Sequence, residues 1–171
     1  MKSSIRLVFM GVCGCGKTTL AARTAQYLNC RVIEADEFHT PEMKEKMRAG
    51  IPLNDDDRWP WLDRLNNAMK SIDVEWSVVT CSGLKRVYRE RLAKDLNDGI
   101  HFMFLDGSKE TIRDRMLKRQ HEYMPVSLLD SQFATLERPT AGEPVSTISV
   151  EVGEDDAFEA VKQAIARLKA A

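Results

Sequence analysis

The 171-residue sequence is 43% hydrophobic and 30% charged, a length and composition typical of a single globular domain with a substantial core. Its 25 basic and 26 acidic residues leave a formal net charge of -1, so neither a nucleic acid nor a membrane surface is expected as a partner. The small number of cysteines, and the lack of an apolar run suited to a signal peptide or a bilayer span, predict a cytoplasmic protein with reduced thiols.

Short apolar strands alternate with amphipathic helices along the chain. The predicted elements are, in chain order, strand 6–10, helix 17–28, strand 30–35, helices 42–48 and 59–72, strand 76–80, helix 85–96, strand 100–105, helices 110–119 and 127–136, strand 145–152 and helix 155–169. Strands separated by helices indicate an α/β fold with a parallel sheet covered on both faces. Because ligands bind beyond the carboxyl ends of such strands, the residues that follow each strand are the candidate functional residues.

A phosphate-binding loop follows the first strand. Residues Gly11 to Thr18 read G-V-C-G-C-G-K-T and match the pattern G-x-x-x-x-G-K-[ST]. The glycines allow a tight turn that presents backbone N–H groups to an anion, Lys17 adds a positive charge, and the Thr18 hydroxyl can ligate Mg²⁺. The pattern predicts a nucleoside triphosphate site formed by Gly11, Cys13, Gly14, Cys15, Gly16, Lys17, Thr18 and Thr19.

Two acidic residues, Glu34 and Asp36, follow the second strand. A carboxylate at this position can hold Mg²⁺ through water or accept a proton from a substrate hydroxyl. Alternation along the strand would point both side chains to the same side. A solvated acidic turn is the alternative, but two acids beside a phosphate loop favour a functional role.

The segment between the second and third strands carries three consecutive carboxylates, Asp55 to Asp57. We expect Asp56 or Asp57 to cap a helix that begins near Trp59. Arg58 has a planar guanidinium suited to a carboxylate ligand.

Basic residues follow the third strand. Ser82 is the expected N-cap of a helix on which Lys85 and Arg89 share one face, a pair suited to a substrate with a carboxylate or phosphate. Arg115 and Arg119 are likewise four residues apart, before an irregular segment at 120–125. Mobile basic segments close over nucleotides in phosphoryl transfer, although a basic last turn also complements a helix dipole.

Taken together, these motifs resemble those of the thermoresistant-type gluconokinase family, relatives of shikimate kinase and the nucleoside monophosphate kinases. The matching pieces cover most of the chain in order. They are G-V-C-G-C-G-K-T from Gly11, A-D-E-F-H from Ala35, K-M-R-A-G-I-P-L-N-D-D-D-R-W-P-W-L from Lys46, C-S-G-L-K-R-V-Y-R from Cys81 and S-Q-F-A-T-L-E-R-P from Ser131.

The resemblance implies a P-loop kinase fold with a five-stranded parallel sheet, forming one domain over residues 1–171. It also implies transfer of the γ-phosphoryl group of ATP, with Mg²⁺, to the terminal hydroxyl of D-gluconate. A substrate-binding helical segment is expected at about 40–70, a mobile lid at about 119–127, and a homodimer as the assembly.

The resemblance also implies roles for individual residues. Asp36 orients or deprotonates the acceptor hydroxyl, Lys17 and Arg119 act on the phosphoryl group, and Arg115 also contacts ATP. The metal is expected at Thr18 and Glu34. The residues implied for the sugar acid are Asp36, His39, Lys46, Asp57, Arg58, Lys85 and Arg89.

This sequence departs from the family pattern in the cysteines of the loop, at Met43, at Gly83 and in the run His121 to Tyr123. Two alternatives therefore stay open at this stage. One is a kinase for another small sugar acid or a shikimate-like acceptor, and the other is an ATP-binding regulator with no acceptor. The acidic and basic residues around the expected acceptor site argue against the regulator, which needs no such pocket.

Overall fold

The structure, a computed structural model, describes residues 4–119 and 126–171. At its centre is a sheet of five parallel strands in the order β2-β3-β1-β4-β5. The strands are β1 (Ile5–Met10), β2 (Val32–Glu34), β3 (Trp76–Thr80), β4 (Ile100–Asp106) and β5 (Val145–Ser149). The parallel α/β sheet predicted from the sequence is confirmed.

One or two helices connect each pair of successive strands, and one more helix follows the last strand. They are α1 (Lys17–Leu28), α2 (Pro41–Arg48), α3 (Asp55–Lys70), α4 (Arg86–Ala93), α5 (Lys109–Lys118), α6 (Ser127–Thr135) and α7 (Glu154–Ala170), with short 3₁₀ turns at Ala35–Phe38 and Asn97–Gly99. No helix in these described ranges has the length and apolar character needed to cross a bilayer. All four cysteines are free thiols.

The central strand β1 separates two cores. Its side chains alternate, so Leu7 and Phe9 pack on the face covered by α1 and α7, whereas Val8 and Met10 pack on the face covered by α3 and α4. All four side chains are fully buried. Because both faces are covered, the carboxyl edge of the sheet is the open place where side chains from several strands can meet a ligand.

The second strand ends earlier than predicted. β2 stops at Glu34, and Asp36 lies in the 3₁₀ turn Ala35–Phe38 rather than on a continued strand. The indole Nε1 of Trp61 holds this turn by donating to the carbonyl oxygen of Ala35 over 2.8 Å. The fifth strand is also shorter than predicted and ends at Ser149.

Helix α3 begins four residues before the predicted start at Trp59. Asn54 is the N-cap: its Oδ1 accepts from the Asp57 N–H over 2.8 Å, and the Asp57 carboxylate accepts from the Asn54 N–H over 3.0 Å. This reciprocal capping box corrects the expectation that Asp56 or Asp57 is the cap. The three carboxylates lie in the first turn, where the helix dipole favours negative charge.

The start of α4 also differs from the prediction. Lys85, not Ser82, occupies the N-cap position, and the helix begins at Arg86. Ser82 instead accepts the N–H of Gly11 at its backbone oxygen over 3.0 Å, which ties the end of β3 to the start of the phosphate loop.

Arg89 of α4 is a buried charge with a complete set of partners. Only 2% of the residue is exposed, and its guanidinium pairs with Glu143 at 2.7 Å and donates to the carbonyl oxygens of Gly83 and Glu137 over 2.9 and 3.1 Å. Arg89 holds the pKa of the Glu143 carboxyl below its usual range. Arg89 therefore links Glu137 and Glu143, which follow α6, to α4 and to Gly83 just before it.

We expect Arg89→Met to lower the free energy of unfolding by about 3 kcal/mol, because a buried carboxylate and two carbonyl groups would lose their partner. Urea unfolding measures this loss. The matched control is Arg86→Met, which removes an exposed pair with Glu90 on the same helix and should cost far less. Equal costs for the two variants would contradict a structural role of the buried pair.

Candidate active site

A cavity of about 340 Å³ lies at the carboxyl ends of β1, β2 and β3, and we call it the central cavity. Its wall combines the phosphate loop, the turn after β2, the segment that leads into α3, and one face of α6. The sequence-predicted residues that it brings together are Cys13, Gly14, Gly16, Lys17, Thr18, Glu34, Asp36, His39, Arg58 and Arg119.

A second cavity of about 210 Å³, the side cavity, lies on the other side of the loop. Its predicted residues are Gly14, Cys15, Gly16, Thr19, Arg115 and Arg119, and its apolar wall includes Val150 and Val152. Gly14, Gly16 and Arg119 line both cavities. The phosphate loop therefore separates two spaces, one of which faces the acidic turn and one of which does not.

The phosphate loop has the backbone geometry of an anion site. Gly14 and Gly16 have φ values of 75° and 102°, and a Cβ at Gly14 would lie 2.5 Å from the Cγ of Met116, so a side chain there would both clash and strain the backbone. Gly16 is the N-cap of α1, which directs the positive end of the helix toward the loop. The Lys17 ammonium donates to the carbonyl oxygens of Gly11 and Val12 over 2.9 and 2.8 Å.

Oxygen ligands suited to Mg²⁺ stand beside this loop. Thr18 and Glu34 both line the central cavity, and the Thr80 hydroxyl donates to the Glu34 carboxylate. Among residues 4–119 and 126–171, no group of three or more His, Cys, Asp or Glu side chains is placed to hold a metal ion. One hydroxyl and one carboxylate fit the usual mode of Mg²⁺, which takes few protein ligands and completes its shell with phosphates and water.

Asp36 and His39 form the acidic side of the central cavity. The Nδ1 of His39 lies 3.6 Å from the Oδ1 of Asp36, and the ring packs on Trp61 at a centroid distance of 4.7 Å. Burial lowers the pKa of His39, against the opposing effect of the Asp36 charge, so the imidazole is neutral at pH 7. Its buried Nδ1 has no hydrogen-bond partner among the described residues.

Arg58 is positioned by a network that crosses from α3 to α4. Its Nη1 donates to the Tyr88 hydroxyl over 3.1 Å, and that hydroxyl donates to the Asp55 carboxylate. Burial and the contact with Asp55 raise the pKa of Tyr88 to about 12, so the phenol keeps its proton. Lys85 lies near the same carboxylate, at 3.8 Å from Asp55. The network holds a cationic side chain at the cavity wall.

Four residues predicted to bind substrate lie outside the wall of the central cavity: Lys46, Asp57, Lys85 and Arg89. Lys46 pairs with Asp57 at 2.9 Å, and this hydrogen bond lowers the pKa of the Asp57 carboxyl. Asp57 is also occupied by the capping box of α3. For Arg89, burial and the pairing with Glu143 correct the expected substrate contact, because its donors face protein oxygens.

The sequence interpretation missed several residues that the structure places in or beside the central cavity, chiefly Thr80, Tyr88 and Gln132. Tyr88 follows Lys85 by three residues, a helical spacing that could have assigned it to the same face. The predicted lid at about 119–127 falls mostly on residues 120–125, which lie outside the described residues and include His121, Glu122 and Tyr123.

Comparison with known proteins gives consistent results at the level of family, sequence and structure. A family model described as shikimate kinase matches residues 13–168. The thermosensitive gluconokinase of Escherichia coli K12 is 41% identical over 166 residues, which cover 95% of this chain and 88% of that protein. A gluconokinase of Gluconobacter oxydans is 45% identical over 157 residues, which cover 90% of this chain and 86% of that protein. The crystal structure of a gluconokinase from Sinorhizobium meliloti 1021 aligns with a TM-score of 0.88 at 37% identity, over 98% of this chain and 95% of that one.

Proposed function

The chain belongs to the gluconokinase family of P-loop kinases, and from this premise we propose that it transfers the γ-phosphoryl group of ATP to the terminal hydroxyl of D-gluconate. The product is 6-phospho-D-gluconate. The observation that carries the proposal is the central cavity, whose wall includes Lys17 of the phosphate loop together with Asp36 and Arg58. A donor phosphate and a sugar acid can therefore meet in one cavity.

The donor side of the reaction falls to the phosphate loop. The side cavity suits the nucleoside of ATP, between Arg115 and the valines that follow β5. Lys17 contacts the β- and γ-phosphates in place of the loop carbonyls it now binds, and Arg119, which lines both cavities, neutralises charge on the phosphoryl group. Thr18 and Glu34 are the residues that would hold Mg²⁺, which supplies charge neutralisation between the phosphates.

The acceptor side falls to the acidic turn and to α3. Asp36 accepts a hydrogen bond from the terminal hydroxyl and takes its proton as the new bond to phosphorus forms. His39 lines the same cavity beside Asp36 and packs its ring on Trp61, which supports its predicted place next to the polyol. Arg58 faces the cavity as a planar cation suited to the carboxylate of the sugar acid. Lys85 lies 3.8 Å from the Asp55 carboxylate of the same network and adds positive charge near the sugar acid.

A coupled assay of ADP release tests the proposal. ATP is supplied with a panel of six-carbon sugar acids, shorter sugar acids and shikimate, and the proposal expects saturable ADP release with gluconate. Preference for another acid would favour a kinase of different acceptor specificity. ADP release that is indifferent to every acid tried would overturn the kinase and favour an ATP-binding regulator.

Tyr88→Phe tests how Arg58 is positioned. Without the phenol oxygen, Arg58 loses one hydrogen-bond partner and Asp55 loses another, so we expect the KM for gluconate to rise about fivefold to tenfold while kcat and the KM for ATP stay unchanged. The matched control is Tyr27→Phe on the exposed face of α1. If Tyr88→Phe lowered kcat with an unchanged KM for gluconate, the network would not act through acceptor binding.

We also propose that the enzyme forms a single domain and acts as a homodimer in the cytoplasm. The length of 171 residues supports one domain, the family resemblance supports a homodimer, and the free thiols agree with a reducing compartment. Light scattering during size-exclusion chromatography would distinguish a dimer from a monomer.

A further inference from the structure

Helix α6 brings an amide side chain to the phosphate loop. The backbone N–H of Cys13 donates to the Oε1 of Gln132 over 2.6 Å, a contact between residues 119 positions apart. Gln132 also lines the central cavity, together with Lys17 and Asp36. The amide therefore lies where donor and acceptor meet in the proposed reaction.

The helix that carries Gln132 is fixed on two sides. Leu128 and Leu129 are buried beneath it, at 4% and 1% exposure. Just beyond its last turn, the N–H of Glu137 donates to the carbonyl oxygen of Leu84 over 2.7 Å, and the Glu137 carbonyl accepts from the buried Arg89. The position of Gln132 is therefore set by the core rather than by a surface loop. A group held in this way needs little reorganisation during a reaction.

The contact with Cys13 also fixes the orientation of the amide. A backbone N–H is a donor, so the amide oxygen must face it, and the amide nitrogen lies on the other branch of the same carbon. This nitrogen carries two N–H donors and no charge. It stands within a few ångströms of the loop that cradles the phosphates, where negative charge moves during phosphoryl transfer.

Resting on the proposed function, we propose that Gln132 is a further catalytic residue. Its Oε1 keeps its hydrogen bond with the N–H of Cys13, and its Nε2 donates a hydrogen bond to the phosphoryl group during transfer. In the step itself, the bond from the γ-phosphorus to the ADP oxygen breaks, the bond to the acceptor oxygen forms, and the hydroxyl proton passes to Asp36. Gln132 neither gains nor loses a proton.

Two substitutions separate this role from simple capping of the loop. Gln132→Glu keeps an oxygen for the N–H of Cys13 but has no N–H donor, whereas Gln132→Met loses both groups at similar size. We expect each to lower kcat about 100-fold, the usual effect of removing one donor to a transition state. Asp130→Asn is the matched control, because this exposed residue on the same helix pairs with Lys109 and lies outside the cavity wall.

A second readout is the binding of ADP with Mg²⁺, measured by titration calorimetry with and without fluoroaluminate, a planar mimic of the phosphoryl group. The wild type should bind ADP more tightly with fluoroaluminate, and both Gln132 variants should lose most of that gain. Gln132→Met should bind ADP alone as the wild type does, whereas the added carboxylate of Gln132→Glu should weaken the binding of ADP alone as well. A merely structural contact would not produce this selective loss. The readout needs no acceptor, so it tests Gln132 independently of gluconate.

The outcomes separate the two proposals. A wild type without gluconate-dependent turnover would overturn the proposed function, while the fluoroaluminate titration would still decide the role of Gln132. Wild-type kcat in Gln132→Glu, or an unchanged fluoroaluminate effect in that variant, would show that the amide only caps the loop and would overturn the inference. If Gln132→Met proved unstable to heating, the uncharged Gln132→Leu would take its place, because the charge of Gln132→Glu could by itself lower kcat.

Discussion

Replacing Lys17 with alanine should lower kcat at least about 1,000-fold with every acceptor, because its ammonium supplies positive charge to the β- and γ-phosphates from within the loop itself. Its ammonium now binds the carbonyl oxygens of Gly11 and Val12, so it already lies within reach of phosphates held by the same loop. Single-turnover kinetics at saturating ATP and gluconate measure the loss of the chemical step.

Two control variants show whether the loss in Lys17→Ala comes from the missing charge, from the shape of the cationic group or from a general effect of removing a lysine. Lys17→Arg keeps the charge but replaces a compact ammonium with a planar fork, and we expect it to recover only a small part of the activity. Lys162→Ala removes a surface lysine of α7 that pairs with Glu159, and its kcat should equal that of the wild type. Substantial turnover in a well-folded Lys17→Ala variant would contradict the assignment of the phosphate loop as the donor site.

Asp36→Asn should lower kcat about 100-fold or more and change the KM for gluconate much less. The amide retains the size of the side chain and can still accept a hydrogen bond, but it cannot take the proton of the acceptor hydroxyl. Steady-state kinetics with both substrates varied separate the two effects.

The neighbouring acid provides the control for Asp36. Glu37 lies in the same 3₁₀ turn, is exposed and lies outside the wall of the central cavity. Glu37→Gln should therefore leave kcat and the KM for gluconate unchanged. An unchanged kcat in Asp36→Asn would remove Asp36 from the chemistry and leave it a binding role at most.

Local sequence determined the parts of the fold that were predicted well. The phosphate loop, the alternation of strands and helices, and the acids after β2 each depend on residues close in the chain, and the structure places them together at one edge of the sheet. The helix boundaries were less accurate. The start of α3 was missed because Asn54 and Asp57 cap each other, a reciprocal pair that outweighs the helical periodicity beginning at Trp59.

Contacts between distant residues could not be predicted from one sequence. Arg89 lies four residues after Lys85, a spacing that predicted a shared substrate-binding face. In the structure Arg89 instead pairs with Glu143, 54 positions later, and is buried. The role proposed for Tyr88 depends on the packing of α3 against α4, and the role proposed for Gln132 depends on the contact of α6 with Cys13 of the phosphate loop. In each case the deciding partner is supplied by tertiary packing and leaves no periodic signal in the sequence.

Phosphorus–proton correlation NMR of the reaction mixture tests the central claim most directly, because it shows where the γ-phosphoryl group goes. With ATP, Mg²⁺ and D-gluconate, we predict a phosphate monoester signal coupled to the protons of the terminal carbon of the sugar acid, appearing at the same rate as ADP. ADP accompanied only by inorganic phosphate, or a phosphate on any other carbon, would contradict the account.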